Sequence, residues 1–155
     1  MNVTKLRKFL IKANKMGYAA GDTVEITKEK DGSKTIAYKD GDWMFRDNYF
    51  GGEPYGGREV IFYKDKPIWM MVYYGWVDNN VKDIDKVYKI LQKALTRAPK
   101  EHPYRGPRKY KSMDYIYRNK WEGEIDGFSG EEVITQKGGI IYKANYIGGL
   151  INQRN

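Results

Sequence analysis

The chain has 155 residues, of which 41% are hydrophobic and 15% aromatic, and it carries a net charge of +8. This length suits one domain over residues 1–155 that buries roughly two thirds of its unfolded surface, and the aromatic content excludes a disordered chain. Cysteine is absent and His102 is the single histidine, so disulfides are excluded and we predict neither a metal nor a cofactor. No run approaches the roughly 20 apolar residues of a membrane span, so we expect a cytoplasmic protein with no membrane partner.

The positive charge is concentrated in two segments. Positions 1–21 hold five basic residues, between positions 5 and 15, and no acidic residue. Positions 97–111 hold six basic residues against Glu101 alone. Such clustering favours an anionic partner, nucleic acid included, although a solvated basic face is the alternative reading of either cluster.

The N-terminal half predicts one helix followed by strands. Apolar residues recur every three or four positions over about 3–17, which indicates an amphipathic helix. Asp31-Gly32 is a two-residue turn typical of a β-hairpin, and strand-forming residues lie on both sides of it. The predicted strands are 23–27, 34–38, 42–47, 59–63 and 67–75.

A second helix and a second group of strands follow. Apolar spacing predicts a helix over about 80–97, with 78–80 (Asp-Asn-Asn) as its cap. Three prolines at four-residue intervals then exclude a helix or a central strand, so we expect an extended connector of the kind that often carries function. The later strands are 114–119, 131–136 and 139–147. The predicted fold class is therefore α+β, with a mainly antiparallel sheet and two amphipathic helices.

The two groups of strands share a sequence pattern. Residues 57–77, aligned with 130–150 without a gap, are identical at eight of 21 positions, and FRD at 45–47 matches YRN at 117–119. Chance agreement at ordinary residue usage would give about one or two identities. We interpret this as a pseudo-repeat of 43–77 and 115–150, in which each half contributes three strands to one sheet.

The polar residues retained in both copies are candidate site residues. They are Arg46/Arg118, Asp47/Asn119 and Glu59/Glu132. One interpretation is a structural ion pair between strands, Arg46 with Glu59 and the equivalent pair in the second copy. The other is that these charges converge on a shared cleft, where they bind a ligand or perform acid–base chemistry.

Two aromatic segments add further candidates. Alternation in 67–77 places Trp69 and Tyr73 on one face of a strand, which fits a strand buried on both sides or a stacking platform beside an arginine. In 104–111, tyrosines and basic residues interleave. This connector either contacts phosphates or packs Tyr104 into the core.

Four stretches carry a family resemblance: FRDNYFGG, GGREVIFYKDKPIWMMVYYG, HPYRGPRKY, and FSGEEVI with GIIYKANYIGGLI. They resemble an uncharacterised prokaryotic family described only as a domain of unknown function, found alone or C-terminal to a helix-turn-helix in regulators. The resemblance implies no activity and no catalytic residue. A helix-turn-helix fusion would imply a sensing or oligomerising domain. The residues that the resemblance assigns to the shared pattern are Arg46, Asp47, Glu59, Trp69, Arg105 and Glu132.

We therefore expect a non-enzymatic, sensor-like domain that recognises a small anionic or planar molecule. Its candidate ligand-binding residues are Arg46, Asp47, Glu59, Trp69, Tyr73, Arg105, Arg118 and Glu132. The alternative is nucleic-acid binding through the basic clusters 5–15 and 97–111. Its candidate residues are Lys8, Lys12, Tyr104, Arg105, Arg108 and Lys109. A third reading is a small hydrolase or transferase that uses Glu59 and Glu132, for which the sequence offers no activating residue.

Overall fold

A nine-stranded antiparallel sheet carries both helices on one of its faces in the computed structural model, which describes residues 2–18, 26–152 and 154. The helices are α1 (Val3–Tyr18) and α2 (Ile84–Leu95). The strands are β1 (Ile26–Lys28), β2 (Lys34–Asp40), β3 (Trp43–Gly51), β4 (Tyr55–Tyr63), β5 (Lys66–Val77), β6 (Lys109–Ser112), β7 (Tyr115–Glu124), β8 (Gly127–Gln136) and β9 (Gly139–Leu150). The predicted α+β class is confirmed.

The sheet consists of two meanders that meet in its middle. Its strand order is β1-β2-β3-β4-β5-β9-β8-β7-β6, so the halves join where β5 pairs with β9. Tyr73 of β5 lies directly opposite Tyr146 of β9. These two tyrosines also occupy equivalent positions in the aligned sequence segments. An approximate twofold axis between them therefore relates β3–β5 to β7–β9.

The two halves share local irregularities as well as strand order. The strand register shifts after Ile61 in β4 and after Ile134 in β8, positions that are equivalent in the two copies. The hairpin turns that follow both contain a lysine, Lys64 or Lys137, with a φ of 49°. The halves therefore have matching geometry, and an internal duplication stays the interpretation that the sequence predicts.

One face of the sheet, the helix-covered face, contains the core. Along β5, Trp69, Met71 and Tyr73 are buried, whereas Tyr74 is 53% and Trp76 37% exposed. The prediction of a strand buried on both sides is therefore wrong, because both helices pack on the same face. We call the opposite face, with Tyr74 and Trp76, the open face.

Helix α2 is shorter than its apolar spacing suggests. It begins after Asp83, whose carboxylate accepts the backbone N–H of Lys86 at 3.0 Å, a normal N-cap bond. The predicted cap at 78–80 is wrong, because Asp78 instead accepts the N–H of Asn80 in a local turn.

The predicted strands are mostly too short. Strand β4 starts four residues before the predicted 59–63, and β9 continues to Leu150. The prediction omitted both segments because they contain glycines, which weaken the sequence signal for a strand. The first three residues of the predicted strand 23–27 lie outside the described residues. The connector after α2 leads into β6, an edge strand that pairs with β7. This agrees with the expectation that the proline-containing segment forms no helix and no central strand.

Two equivalent glycines allow tyrosine rings to cross the sheet surface. The Tyr146 ring lies over Gly130, where an added Cβ would be 2.2 Å from the ring carbon Cζ. At the matching position in the first half, a Cβ on Gly57 would be 2.7 Å from the Tyr73 hydroxyl oxygen. Any side chain at these positions would displace the two central tyrosines.

We predict that Gly130→Ala lowers the unfolding free energy by about 2 kcal/mol, since the new methyl group overpacks the Tyr146 ring. Thermal unfolding should show a melting temperature lower by roughly 4–8 °C. Gly127→Ala is the matched control on the same strand, because nothing lies within 4 Å of its added Cβ. Equal melting temperatures for both variants would contradict the close contact.

Candidate ligand-binding site

The connector places Arg105 between the helices and the sheet. Its guanidinium forms an ion pair with Glu132 through Nη2, and its Nε donates to the same Oε1 at 3.2 Å. The Arg105 and Glu132 side chains are 3% and 0% exposed. A buried ion of this kind requires a countercharge nearby, so each residue depends on the other.

Two tyrosines complete the environment of Glu132. The Tyr117 hydroxyl donates to Oε2 at 2.6 Å, and the Tyr142 hydroxyl donates to Oε1 at 2.9 Å. The Tyr55 hydroxyl lies 2.6 Å from that of Tyr142. Because the single proton of Tyr142 goes to Glu132, Tyr55 must be the donor in this last bond. Burial, and next the charge of Glu132, raise the pKa of Tyr117 and of Tyr142, so both remain donors at neutral pH.

The residues next to Arg105 hold the connector in place. Tyr104 stacks on Phe128 with ring centroids 3.8 Å apart. The Gly106 N–H donates to the Tyr117 hydroxyl at 3.1 Å, and the Asn119 side-chain amide donates to the Gly106 carbonyl at 2.8 Å. A Cβ on Gly106 would lie 2.6 Å from the Tyr117 hydroxyl, so the packing of this connector requires glycine at position 106.

A second polar contact repeats in the two halves. The Tyr73 hydroxyl donates to Asp47 Oδ1 at 2.5 Å, and the Tyr146 hydroxyl donates to Asn119 Oδ1 at 2.8 Å. In each half a tyrosine on the central strand thus crosses one strand to reach an Asp or Asn on the next. The two sites differ by a charge, since Asp47 is a carboxylic acid and Asn119 a neutral amide.

The halves also differ around their glutamates. Phe45 and Trp69 occupy the positions equivalent to Tyr117 and Tyr142, so the two hydroxyls that serve Glu132 have no counterparts in the first half. The Trp69 indole N–H instead donates to the carbonyl of Ile125 at 3.0 Å.

Asp47 is a buried acid whose surroundings shift its pKa. Burial raises the pKa of Asp47 to about 6, although the Tyr73 hydrogen bond and the charge of Arg105 act in the opposite direction. Its side chain therefore changes charge close to physiological pH, which is a common property of functional carboxyl groups.

A cavity of about 290 Å³ lies between α2 and the helix-covered face of the sheet. Aromatic and charged side chains line it: Asp47, Tyr49, Tyr55, Tyr73, Tyr88 and Arg105. Leu91, Gln92 and Leu95 of α2 form part of its wall. The buried polar network thus reaches a space in which a small molecule can contact it.

The predicted ligand-binding residues divide between the two faces. Those on the helix-covered face are Asp47, Glu59, Trp69, Tyr73, Arg105 and Glu132, of which Asp47, Tyr73 and Arg105 line the cavity. Arg46 and Arg118 are exposed on the open face.

The predicted ion pairs Arg46–Glu59 and Arg118–Glu132 are therefore wrong. Across β3 and β4, Asp47 lies opposite Glu59 and Arg46 lies opposite Val60, so the arginine and the glutamate project from opposite faces. The same alternation separates Arg118 from Glu132, and the guanidinium that Glu132 receives comes from Arg105.

The predicted nucleic-acid surface is not a continuous accessible surface. Tyr104 and Arg105 are 1% and 4% exposed, because one stacks in the core and the other pairs with Glu132. Lys12 forms a surface ion pair with Asp40, and the Arg108 guanidinium covers the Trp121 ring at 3.9 Å. The two remaining residues, Lys8 and Lys109, are exposed.

The predicted acid–base pair is inaccessible. Glu59 and Glu132 are both 0% exposed, so neither carboxylate is open to solvent. This burial does not favour a hydrolase or transferase that uses the pair, and that reading stays a prediction.

Most tyrosines of the network carry no sequence signal that marks them as site residues. Tyr55, Tyr117 and Tyr142 share the helix-covered face with Glu132, and Tyr88 approaches from α2. Strand alternation alone could have grouped Tyr117 with Asn119, two positions further on. The contact of either residue with the connector depends on tertiary packing.

We predict that Asp47→Asn changes the pH dependence of stability. The carboxyl pKa is 3.8 in the unfolded chain and about 6 in the folded protein, so the folded state holds the proton more tightly. Protonated Asp47 therefore stabilises the folded state at low pH. About 3 kcal/mol of the unfolding free energy is lost as the pH rises from about 4 to about 6.

Urea unfolding of both proteins at several pH values checks this expectation. Asp47→Asn should gain stability relative to the original chain over that window, and Asn119→Asp should show the opposite trend. Parallel pH profiles for the original chain and Asp47→Asn would show that Asp47 ionises as it does in water.

We predict that Arg105→Met destabilises the protein by about 3–5 kcal/mol, because it leaves the Glu132 charge buried without its ion-pair partner. Adding Glu132→Gln to this variant should recover part of the loss, since it removes the charge. Chemical denaturation of the two single variants and the double variant measures the coupling. Additive losses would mean that the pair is not energetically coupled.

Comparison with known proteins identifies a family. No curated protein and no solved structure matches the chain. Neither helix in the described part of the chain is both long and apolar enough to cross a bilayer. Residues 47–151, about two thirds of the chain, match a family and include Asp47, Arg105 and Glu132. The chain therefore belongs to the family described as a domain of unknown function, DUF5680.

Proposed function

We propose that this domain is a non-enzymatic sensor that binds a small planar molecule in the cavity between α2 and the sheet. The observation that carries the proposal is the opening of a buried network onto that cavity at Asp47, Tyr73 and Arg105. Desolvated charged groups are costly to keep, and they concentrate where a protein binds or reacts.

The size and lining of the cavity support a planar ligand. A volume of about 290 Å³ is close to the lower limit of roughly 300 Å³ for ligand pockets, so it suits one small ring system. Tyr49, Tyr55, Tyr73 and Tyr88 contribute aromatic rings to the wall. Flat aromatic surfaces with a few polar edges favour a planar heterocycle over a flexible chain.

The charges of the network favour a neutral ligand over an anion. Arg105 is already neutralised by Glu132, so it offers little net charge to an anionic group. Asp47, with a pKa of about 6, can accept a hydrogen bond when ionised or donate one when protonated. We therefore retain the planar part of the sequence-based expectation and assign the polar recognition to Asp47 and the tyrosine hydroxyls.

The position of the cavity supports a sensing role. The Tyr88 hydroxyl of α2 donates its proton to Glu53, and its oxygen lies 3.2 Å from the Gly52 carbonyl oxygen, both in the turn after β3. A ligand between α2 and the sheet would strengthen the attachment of this helix. The resemblance to domains that follow a helix-turn-helix agrees with this role. A prokaryotic origin, a cytoplasmic location and an internal duplication belong to the same proposal.

We predict that at least one compound in a panel of nucleobases, pyridines and indoles raises the melting temperature. A ligand at about 100 times its Kd adds about 2.7 kcal/mol, which corresponds to roughly 5–10 °C for a chain of this length. Gln92→Trp should abolish the shift, since Gln92 is exposed at the cavity wall and a larger side chain there would fill the space.

Lys89→Trp is the matched control for this experiment. Lys89 is exposed on the same helix and does not line the cavity, so this variant should keep the full shift. A compound that stabilises Gln92→Trp as strongly as the original chain binds elsewhere. A panel in which no compound stabilises the original chain would contradict the proposed ligand class.

A further inference from the structure

The open face of the sheet carries a large excess of positive charge. Strand register and alternation place eight basic side chains on it: Lys39, Arg46, Arg58, Lys109, Lys111, Arg118, Lys120 and Lys143. The strands contribute two acidic side chains to the same face, Glu122 and Glu131. Glu131 is paired with Lys143 at 2.6 Å. No helix or strand among the described residues packs over this surface, so the charge faces solvent.

Exposed aromatic and aliphatic side chains occupy the middle of this basic surface. Tyr74 and Trp76 of β5 are 53% and 37% exposed, with ring centroids 6.0 Å apart. Ile147 on β9 and Val72 on β5, which are cross-strand partners, are 59% and 40% exposed. Large apolar side chains that remain in water within a charged rim indicate a binding surface.

Two shallow hollows extend this surface on either side of its centre. One has a volume of about 860 Å³ and is lined by Tyr74, Ile147 and Lys120, among others. The other, of about 800 Å³, lies over β3 and β4. Its lining includes Arg46, Arg58, Phe62 and Met70. A chain-like ligand that crosses the sheet would therefore meet basic groups at both ends and rings in between.

We propose that the open face binds single-stranded nucleic acid, with Tyr74 and Trp76 stacking on bases and the surrounding arginines and lysines contacting phosphates. The two rings are two residues apart on one strand with their centroids 6.0 Å apart, a spacing that an extended strand of nucleotides can match. Base faces are accessible in a single strand and hidden in a duplex, so the exposed rings favour the single strand.

Charge argues against a second copy of this chain as the occupant. Two such faces would bring eight basic side chains against eight others, with two acidic ones on each, and like charges disfavour that contact. The proposed surface also differs from the one that the sequence predicted, which combined α1 with the connector. It lies on the opposite side of the sheet from the small-molecule cavity and is independent of the function proposed for that cavity.

Fluorescence anisotropy with labelled oligo(dT) and oligo(U) of about 12 nucleotides, at about 50 mM and then about 200 mM salt, tests the proposal. We expect both single strands to bind more tightly than a duplex of equal length, with affinity that falls steeply as salt rises. A further comparison of oligo(dU) with oligo(U), which differ only in the sugar, identifies the preferred sugar. Tyr74→Ala and Trp76→Ala should each weaken binding about ten- to hundredfold, and Trp76→Phe should retain most of the affinity.

Variants of the basic residues distinguish direct contacts with phosphates from the attraction of the protein's overall positive charge for nucleic acid. Arg58→Ala and Arg118→Ala should each reduce the slope of log affinity against log salt by about 0.7. Lys8→Ala removes an exposed charge from α1, away from the open face, and should leave the slope unchanged. Gln92→Trp should bind oligonucleotides normally, which distinguishes a failure at this surface from one at the cavity.

Four results would overturn the proposal. They are the absence of oligonucleotide binding at low salt, equal affinity for duplex and single strand, unaltered affinity in both Tyr74→Ala and Trp76→Ala, and concentration-dependent self-association that Trp76→Ala abolishes. Binding to vesicles of phosphatidylserine and phosphatidylcholine without binding to oligonucleotides would also overturn it, and would assign the face to an anionic membrane.

Discussion

The ion pair between Arg105 and Glu132 is the interaction on which the rest of this structure depends. Arg105 belongs to the connector between the two halves, Glu132 lies in the second half, and the guanidinium rests 5.7 Å from the ring centre of Tyr73 in the first. A single residue outside the sheet therefore joins both halves on its covered face. It also orders the tyrosines beside it, because Tyr117 and Tyr142 donate to the same glutamate side chain.

The two halves share a backbone arrangement but carry different side chains around their glutamates. Each contains a central tyrosine that crosses a glycine to reach Asp47 or Asn119. The second half then surrounds its glutamate with hydroxyl groups, and it contacts the connector closely. In the first half phenylalanine and tryptophan replace those tyrosines, and there the cavity meets the sheet. The second half thus contains a packed polar centre, and the first half borders the cavity.

Much of the fold followed from local sequence signals, while the site followed from distant contacts. Alternation along β5, the Asp31-Gly32 turn and the apolar spacing of α1 identified the class and the order of elements. Alternation within each strand does not give the register between β3 and β4. The predicted pairing of Arg46 with Glu59 is wrong because Asp47, not Arg46, lies opposite Glu59. The partner of Glu132 is Arg105, which lies 27 positions away in a segment without the apolar spacing of a helix or a strand. Its contact is set by how the connector packs, which no local pattern encodes.

Strand β5 has a consequence beyond its place at the centre of the sheet. Consecutive residues, Tyr73 and Tyr74, point to opposite sides, one to the covered cavity and one to the open surface. The two surfaces are thus separated by the thickness of one backbone. If both surfaces bind ligands, β5 is the strand that both ligands contact, one on each side. Thermodynamic linkage then requires any effect of one ligand on the affinity for the other to be equal in both directions.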